Sequence, residues 1–364
     1  MLKNVKLGTL YLLRTVGVFA LLRRLTRNQV RIVCYHGGQI GDEGRYNPLL
    51  FGSSRLIADR LDWLVSKGFS PCGIDVLSRS SSPSPLQNKQ LPVIVTADDG
   101  WFSTISSVIE VCRKRKFPIC VYLSTRQFES NLPVVAVVVG YLLWRRKNNF
   151  VDARTVGVPE GILYGKSFNL ELPSVRAGFL NATIEYAAQL PRDRAVVVSF
   201  LESLGSALGV SPSELDLVSR RFDYMNEDEL KEQRDLGCIF QLHGDVHHYP
   251  VGDPIALEND IKACQSVLQR LGVFGPWHYC YPSGSFDHHA QSVLLRSNVH
   301  SATTCIPGLV DMSKIQSMMY LPRFLDGENV SQIEFEAEMS GVMSVIRGLA
   351  HVAGIRSSNP LLGT

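Results

Sequence analysis

The sequence predicts an α/β fold assembled from βα units, either an open parallel sheet or a barrel. Short apolar runs recur along the chain as RIVCY (31–35), PVIVTA (92–97), PICVYL (118–123), CIFQL (238–242), WHYCY (277–281) and VHSATT (299–304). Each has the length and composition of a buried strand. Between them stand amphipathic stretches, including SRLIADRLDWLVSKG (54–68), NEDELKEQRDLG (226–237) and DPIALENDIKACQSVLQRLG (253–272). All three stop on glycine, the residue that ends helices in the left-handed conformation. Buried strands alternating with such helices make a parallel sheet covered by helices.

The chain has 364 residues, 45% apolar and 20% charged, an ordinary globular composition with room for one large decorated domain or two modest ones. A net charge of +3 gives no case for nucleic-acid binding. The 8 cysteines are scattered singly, several within apolar runs, as expected of free thiols in a reducing compartment.

Residues 1–29 combine an apolar stretch with basic flanks, interrupted by Arg14. The uninterrupted part is too short to span a bilayer, and no small-residue cleavage site follows it. Two readings stand side by side: an amphipathic helix on a membrane surface, or a helix packed on the domain. Residues 30–330 form the expected main domain. Within it, 78–90 is a Ser/Pro-rich loop, and 126–222 is a helical insertion between the third and fourth strands, with helices near 174–190 and 192–209, beside the sheet's mouth. The segment 331–364 carries a last helical pattern over 331–352. The basic run RKRK at 113–116 reads as a solvated helix end.

Two segments concentrate chemistry. VIVTADDG (93–100) ends an apolar run on Asp98 and Asp99, where the carboxyl ends of parallel strands build active sites. Adjacent residues leaving a strand point to different sides, so one carboxylate can hold a metal while its neighbour addresses a water. A helix N-cap is the competing reading. FQLHGDVHHYP (240–250) ends another run on His243, with His247 four residues on. Two imidazoles at this spacing, with a carboxylate, suit zinc or a similar divalent ion.

In these segments the chain resembles the polysaccharide deacetylases (the chitooligosaccharide deacetylase-like carbohydrate esterase family 4). TADDG is similar to their Thr-Phe-Asp-Asp-Gly motif and HGDVH to their His-[Ser/Thr]-x-x-His motif. The order of YH (35–36), YMNEDELKEQRDLG (224–237), YPSGSFD (281–287) and LPRF (321–324) fits as well. The resemblance implies a deformed (β/α) barrel of about seven parallel strands and metal-dependent removal of N-acetyl groups from an amino sugar such as N-acetylglucosamine in a cell-envelope polysaccharide. Asp98 becomes the base, and Asp99, His243 and His247 the ligands of a divalent ion, Zn2+ first among them.

The chain departs from the motifs at Ala97, where the family prefers an aromatic, and at Gly244, which replaces a hydroxyl residue. It lacks the late histidine that supplies the acid, its last being His351 in the tail helix, and CYPSGS lacks the family's arginine. His36 and His278 are the alternative acids, each near a strand end. Arg323 is placed to orient groups in the site, and Tyr281, Pro282 and Arg323 are expected on the substrate side. Trp101 either covers the metal, stacks on a sugar, or is a core tryptophan. His248, His288, His289 and His300 are assigned to surface or supporting positions. The expected partner is a glycan or a lipid- or nucleotide-linked sugar, and the expected place the cytoplasm, with peripheral contact to the inner membrane face. An O-deacetylase or deformylase on a lipid-linked sugar and a non-catalytic glycan-binding relative are the alternative functions.

Overall fold

The structure is a computed structural model that describes residues 2–77, 90–152, 167–314 and 317–352. Most of the Ser/Pro-rich loop therefore lies outside the described residues. Eight strands form one parallel sheet: β1 Arg31–Tyr35, β2 Ser70–Cys72, β3 Pro92–Asp99, β4 Ile119–Leu123, β5 Ile239–Leu242, β6 Trp277–Cys280, β7 Val299–Thr303 and β8 Phe324–Leu325. Their lateral order is β7-β6-β5-β4-β3-β1-β8, with β2 beside the first residues of β3.

The order turns back on itself. β8 pairs with β1 through Val33 and Cys34, and just before it Leu321 pairs with Thr303 of β7. The Leu321 amide donates to the Ala302 carbonyl at 2.8 Å, and the Thr304 amide to the Leu321 carbonyl at 2.9 Å. Residues 321–325 thus join the last strand to the first and curl the sheet into a deformed barrel. The central strand, β3, is buried along its whole length, as a parallel strand covered on both faces must be.

The apolar runs read from the sequence match six of the strands. β2 and β8 escaped that reading because SPC and FL are too short to show a period and β2 carries a proline.

The helices that matter here are α1 Leu2–Thr15, α2 Val18–Leu25, α3 Ser54–Ser66, α4 Val135–Arg145, α5 Pro173–Gln189, α6 Arg194–Ala207, α7 Glu227–Asp235, α8 Pro254–Arg270, α9 Gln332–Met339 and α10 Val342–Val352. The punctuation of α3, α7 and α8 follows their sequence. Ser53, Asn226 and Asp253 cap their first turns, and Gly68, Gly237 and Gly272 follow their ends at positive φ.

The insertion holds α4, α5 and α6, close to the expected helical stretches. Where the chain leaves and re-enters the barrel, the Val134 amide donates to the Phe222 carbonyl at 2.8 Å. The next residues then clasp the loop after β3: the Phe102 amide donates to the Asp223 carbonyl and the Met225 amide to the Gly100 carbonyl, both at 2.9 Å. The insertion is therefore a buttress for the aspartate loop.

Each end of the chain, expected as one helix, is a pair. The first breaks at Gly17, φ 83°, and the last at Gly341, φ 83°. α1, α2, α9 and α10 enclose a small core of Leu10, Phe19, Ile333, Ala337 and Val342, apart from the main one. No single described helix is long and apolar enough to cross a membrane.

A buried ion pair ties α3 to the closing strand. Arg60 Nε donates to Asp326 Oδ2 at 3.1 Å with both side chains almost wholly enclosed, and the Asp326 amide bonds the Cys34 carbonyl of β1 at 3.0 Å. Arg60→Met leaves Asp326 buried without its countercharge. It is expected to lower unfolding free energy by about 3–5 kcal/mol, measured by denaturant titration.

Candidate active site

The strand β3 delivers two carboxylates and then bends sharply. Asp99 itself has φ 73° and Gly100 φ 93°. A Cβ on Gly100 would stand 2.3 Å from Leu123 Cδ1, so glycine is required there. The bend sends Asp98 and Asp99 to different neighbours, and a non-glycine residue held in the left-handed region is the kind of strain found at functional sites.

Asp99 faces the histidines. Its Oδ1 lies 3.3 Å from His243 Nε2 and 3.1 Å from His247 Nε2. Its Oδ2 accepts a 2.7 Å hydrogen bond from Trp101 Nε1, which fixes the carboxylate's rotation. His243 Nδ1 stands 2.9 Å from the Cys280 carbonyl. A carbonyl only accepts, so Nδ1 carries a proton, and the ring turns its Nε2 toward Asp99. Asp99 Oδ1 is buried and receives no hydrogen bond among the described residues. Acceptors converging on one point without a donor form a cation site. Burial alone would lower the proton affinity of His247, but the adjoining Asp99 carboxylate raises it overall, so a proton and a cation compete for the same Nε2 position.

The histidine loop is braced from beneath. Asp260 Oδ1, on α8, accepts the amides of Asp245 and Val246, each at 3.0 Å. The Asp245 carboxylate takes Thr125 Oγ1 at 2.9 Å and Arg126 Nη2 at 2.6 Å. Gly244 has φ 75°, and a Cβ there would lie 2.6 Å from Asp260 Oδ2. Glycine at this position, where the resembled motif has Ser or Thr, is thus the local consequence of Asp260 filling that space.

Asp98 turns the other way. Arg323 Nη1 donates to its Oδ1 at 2.7 Å and Arg323 Nη2 to its Oδ2 at 2.5 Å. Asp98 is 2% and Arg323 0% exposed. Arg323 Nε donates to the Thr304 carbonyl at 2.9 Å, and Cys280 Sγ lies 3.5 Å from Asp98 Oδ2 and 2.9 Å from Arg323 Nη2. Burial pushes the Asp98 carboxyl up, but Arg323, helped by His243 and His36, more than offsets this and holds it well below the usual carboxylate range.

His36, one residue past β1, places Nε2 3.8 Å from Asp98 Oδ2, and its side chain is 15% exposed. Its Nδ1 is buried without a hydrogen-bond partner among the described residues, and burial lowers its proton affinity against the pull of Asp98.

With this geometry in view, solved structures supply a comparison. The Streptococcus pyogenes deacetylase PplD, in complex with acetate, matches with a TM-score of 0.54 over 86% of this chain and 99% of its own, at 15% identity. The fold is that of the polysaccharide deacetylases. A polysaccharide deacetylase from Bacillus cereus matches at a TM-score of 0.51 and 14% identity, over 86% of this chain and 69% of its own. IcaB from Ammonifex degensii matches at 0.50 and 15%, over 86% and 97%. No protein-family model matches the chain, and no curated protein matches its sequence.

Among the described residues, three side-chain groups bring possible ligand atoms within 4.8 Å of one another: Asp99, His243 and His247; Cys34, His36 and Asp98; and Asp98, His243 and Cys280. The first fits a divalent cation and the others fit poorly. Both Asp98 oxygens are engaged by a guanidinium whose charge repels a second cation, and burial pushes the Cys34 and Cys280 thiols well above their ordinary range.

Several sequence-based placements need correction. Arg323 touches Asp98 and no solvent, so it serves the carboxylate rather than a substrate. Trp101 is buried between Phe51 and Tyr224, offering no face to a sugar. Tyr281 is buried, its hydroxyl donating to the Met319 carbonyl at 2.9 Å. Pro282 packs under Gly244. His278 is 1% exposed and pairs through Nδ1 with Ser301 Oγ at 2.7 Å, and burial beside His300 pushes it down to about 4. It sits two residues before the strand end, away from Asp98's partners. Cys280 and Asp260 went unnoticed in the sequence; CYPSGS offered a signal for Cys280, whereas nothing marks an aspartate within a helix as a brace.

The purified protein is expected to hold one divalent ion. Asp99→Ala or His247→Ala reduces metal content to background, and Asp260→Ala, by freeing the loop, weakens affinity about 10–100-fold. Elemental analysis and competition with a chromogenic chelator measure both.

Proposed function

We propose that the protein is a metal-dependent deacetylase that removes N-acetyl groups from an amino-sugar glycan or its lipid- or nucleotide-linked precursor. One observation carries the reading: a buried, arginine-held carboxylate stands next in sequence to a carboxylate facing two histidines, on a barrel of the polysaccharide-deacetylase fold.

Asp99, His243 and His247 would hold the ion, three protein ligands that leave room for reactants. A divalent ion there, with Zn2+ the first choice for this donor set, supplies Lewis acidity for the acetamide carbonyl and the attacking water. Asp98, fixed by Arg323 and ionised throughout the physiological range, accepts the water's proton. The Arg323 pair makes it a weak base in isolation, so it serves a water that is already acidified. The proton then has to reach the leaving nitrogen. His36, beside Asp98 Oδ2 and nearer to solvent, is the group positioned to deliver it. Trp101 and the Cys280 carbonyl keep Asp99 and His243 in register throughout.

The test is acetate release from N-acetylglucosamine oligomers, with and without chelator. The expected result is chelator-sensitive release, lowered about 10²–10⁴-fold in kcat by Asp98→Asn. His36→Gln is expected to lower kcat within the same range while metal content stays that of the wild type. Undiminished release by Asp98→Asn would contradict the assignment. Release from acetyl esters but never from acetamides would replace N-deacetylation with O-deacetylation.

A further inference from the structure

The two N-terminal helices present an inverted surface. α1 packs inward through Leu10 and α2 through Phe19, both nearly fully buried. At 100° per residue, Val5 and Leu12 fall about 200–220° around α1 from Leu10, with Val16 in the turn directly after α1, and Leu21 and Leu25 fall about 200–240° around α2 from Phe19. These five aliphatic side chains thus lie on the faces turned away from the protein, and each is more than half exposed. A water-facing helix surface is normally polar.

The cations of the pair are divided between two tasks. Lys6 and Arg14 fasten α1 to α9 through Glu334 at 2.7 Å and Glu336 at 3.3 Å. Arg24 and Arg27, by contrast, have no acidic partner among the described residues. With Arg23 they line a recess of about 300 Å³ between α2 and Leu91, next to the exposed leucines.

We propose that the outward faces of α1 and α2 are a docking surface for an anionic lipid bilayer. Unpaired arginines beside exposed aliphatic residues complement phosphate headgroups over acyl chains. Aliphatic side chains spread along two short helices also differ from the aromatic-rich centre of a protein interface. Helices of 14 and 8 residues reach roughly 21 and 12 Å, short of a hydrocarbon core about 30 Å thick. They are moreover already held by the core they share with α9, so they lie in the headgroup layer without crossing it. This surface stands apart from the chemistry at Asp98.

The test is co-sedimentation of the full chain with phosphatidylcholine vesicles and with phosphatidylcholine–phosphatidylglycerol vesicles, accompanied by size-exclusion chromatography and a thermal unfolding scan. Binding is expected to the anionic vesicles only, and to weaken in high salt. Leu21→Glu with Leu25→Glu abolishes it, and Arg24→Gln and Arg27→Gln each reduce partitioning about fivefold, from roughly 1 kcal/mol per cation at an anionic surface. If the leucine pair fails to fold, the arginine variants decide. Failure to bind anionic vesicles, equal binding to neutral ones, or arginine variants that bind as the wild type overturns the proposal. So does a dimer that the leucine pair dissociates, which would assign the face to a second copy of the chain.

Discussion

The pairing of Arg323 with Asp98 is the constraint on which the rest of the site depends. A guanidinium and a carboxylate removed from water each lose several kcal/mol of solvation, recovered only when geometry and hydrogen bonding are complete. Here they are nearly so. Two N–H groups meet the two oxygens of Asp98, and Nε meets the Thr304 carbonyl. Arg323 also lies on the segment that joins β7 to β1. Closing the barrel and fixing the carboxylate at the end of β3 are therefore one structural event.

A second consequence concerns the division of labour between neighbours in sequence. Asp98 is satisfied by a guanidinium, whereas Asp99 directs one oxygen at two imidazoles. The bend at Asp99 and Gly100 separates the two roles. Asp223 and Met225, directly after the insertion, hold that bend, Trp101 sets the rotation of Asp99, and Asp260 sets the loop that carries His247. A carboxylate kept ionised beside an acceptor cluster fit for a cation is one arrangement that can supply both a proton acceptor and a Lewis-acid site.

Most of the barrel was legible because its signals are local. Fully apolar runs give strands, and Gly68, Gly237 and Gly272 give helix ends. The closure was not legible, since it rests on Leu321 and two residues of β8 meeting strands that are distant in sequence. For the site, the ends of β3 and β5 marked Asp98, Asp99, His243 and His247, because side chains at a strand's carboxyl end have few places to go. Which way a residue faces was harder to read. His278 on β6 and Tyr281 just after it belong to a segment that does reach the site, yet their side chains are buried away from it. Trp101, read as a metal cover, a sugar platform or a core residue, is the last of these and donates a hydrogen bond to Asp99 from within the wall. Arg323 was marked by LPRF, but its partner could not be named until the segment crossed the barrel.

The most direct test of this account is anomalous diffraction from crystals soaked in zinc. The account predicts one strong peak within about 2.0–2.2 Å of Asp99, His243 and His247, with Arg323 still paired to Asp98. A peak instead among Cys34, His36 and Asp98, or no ordered ion at either place, would contradict it.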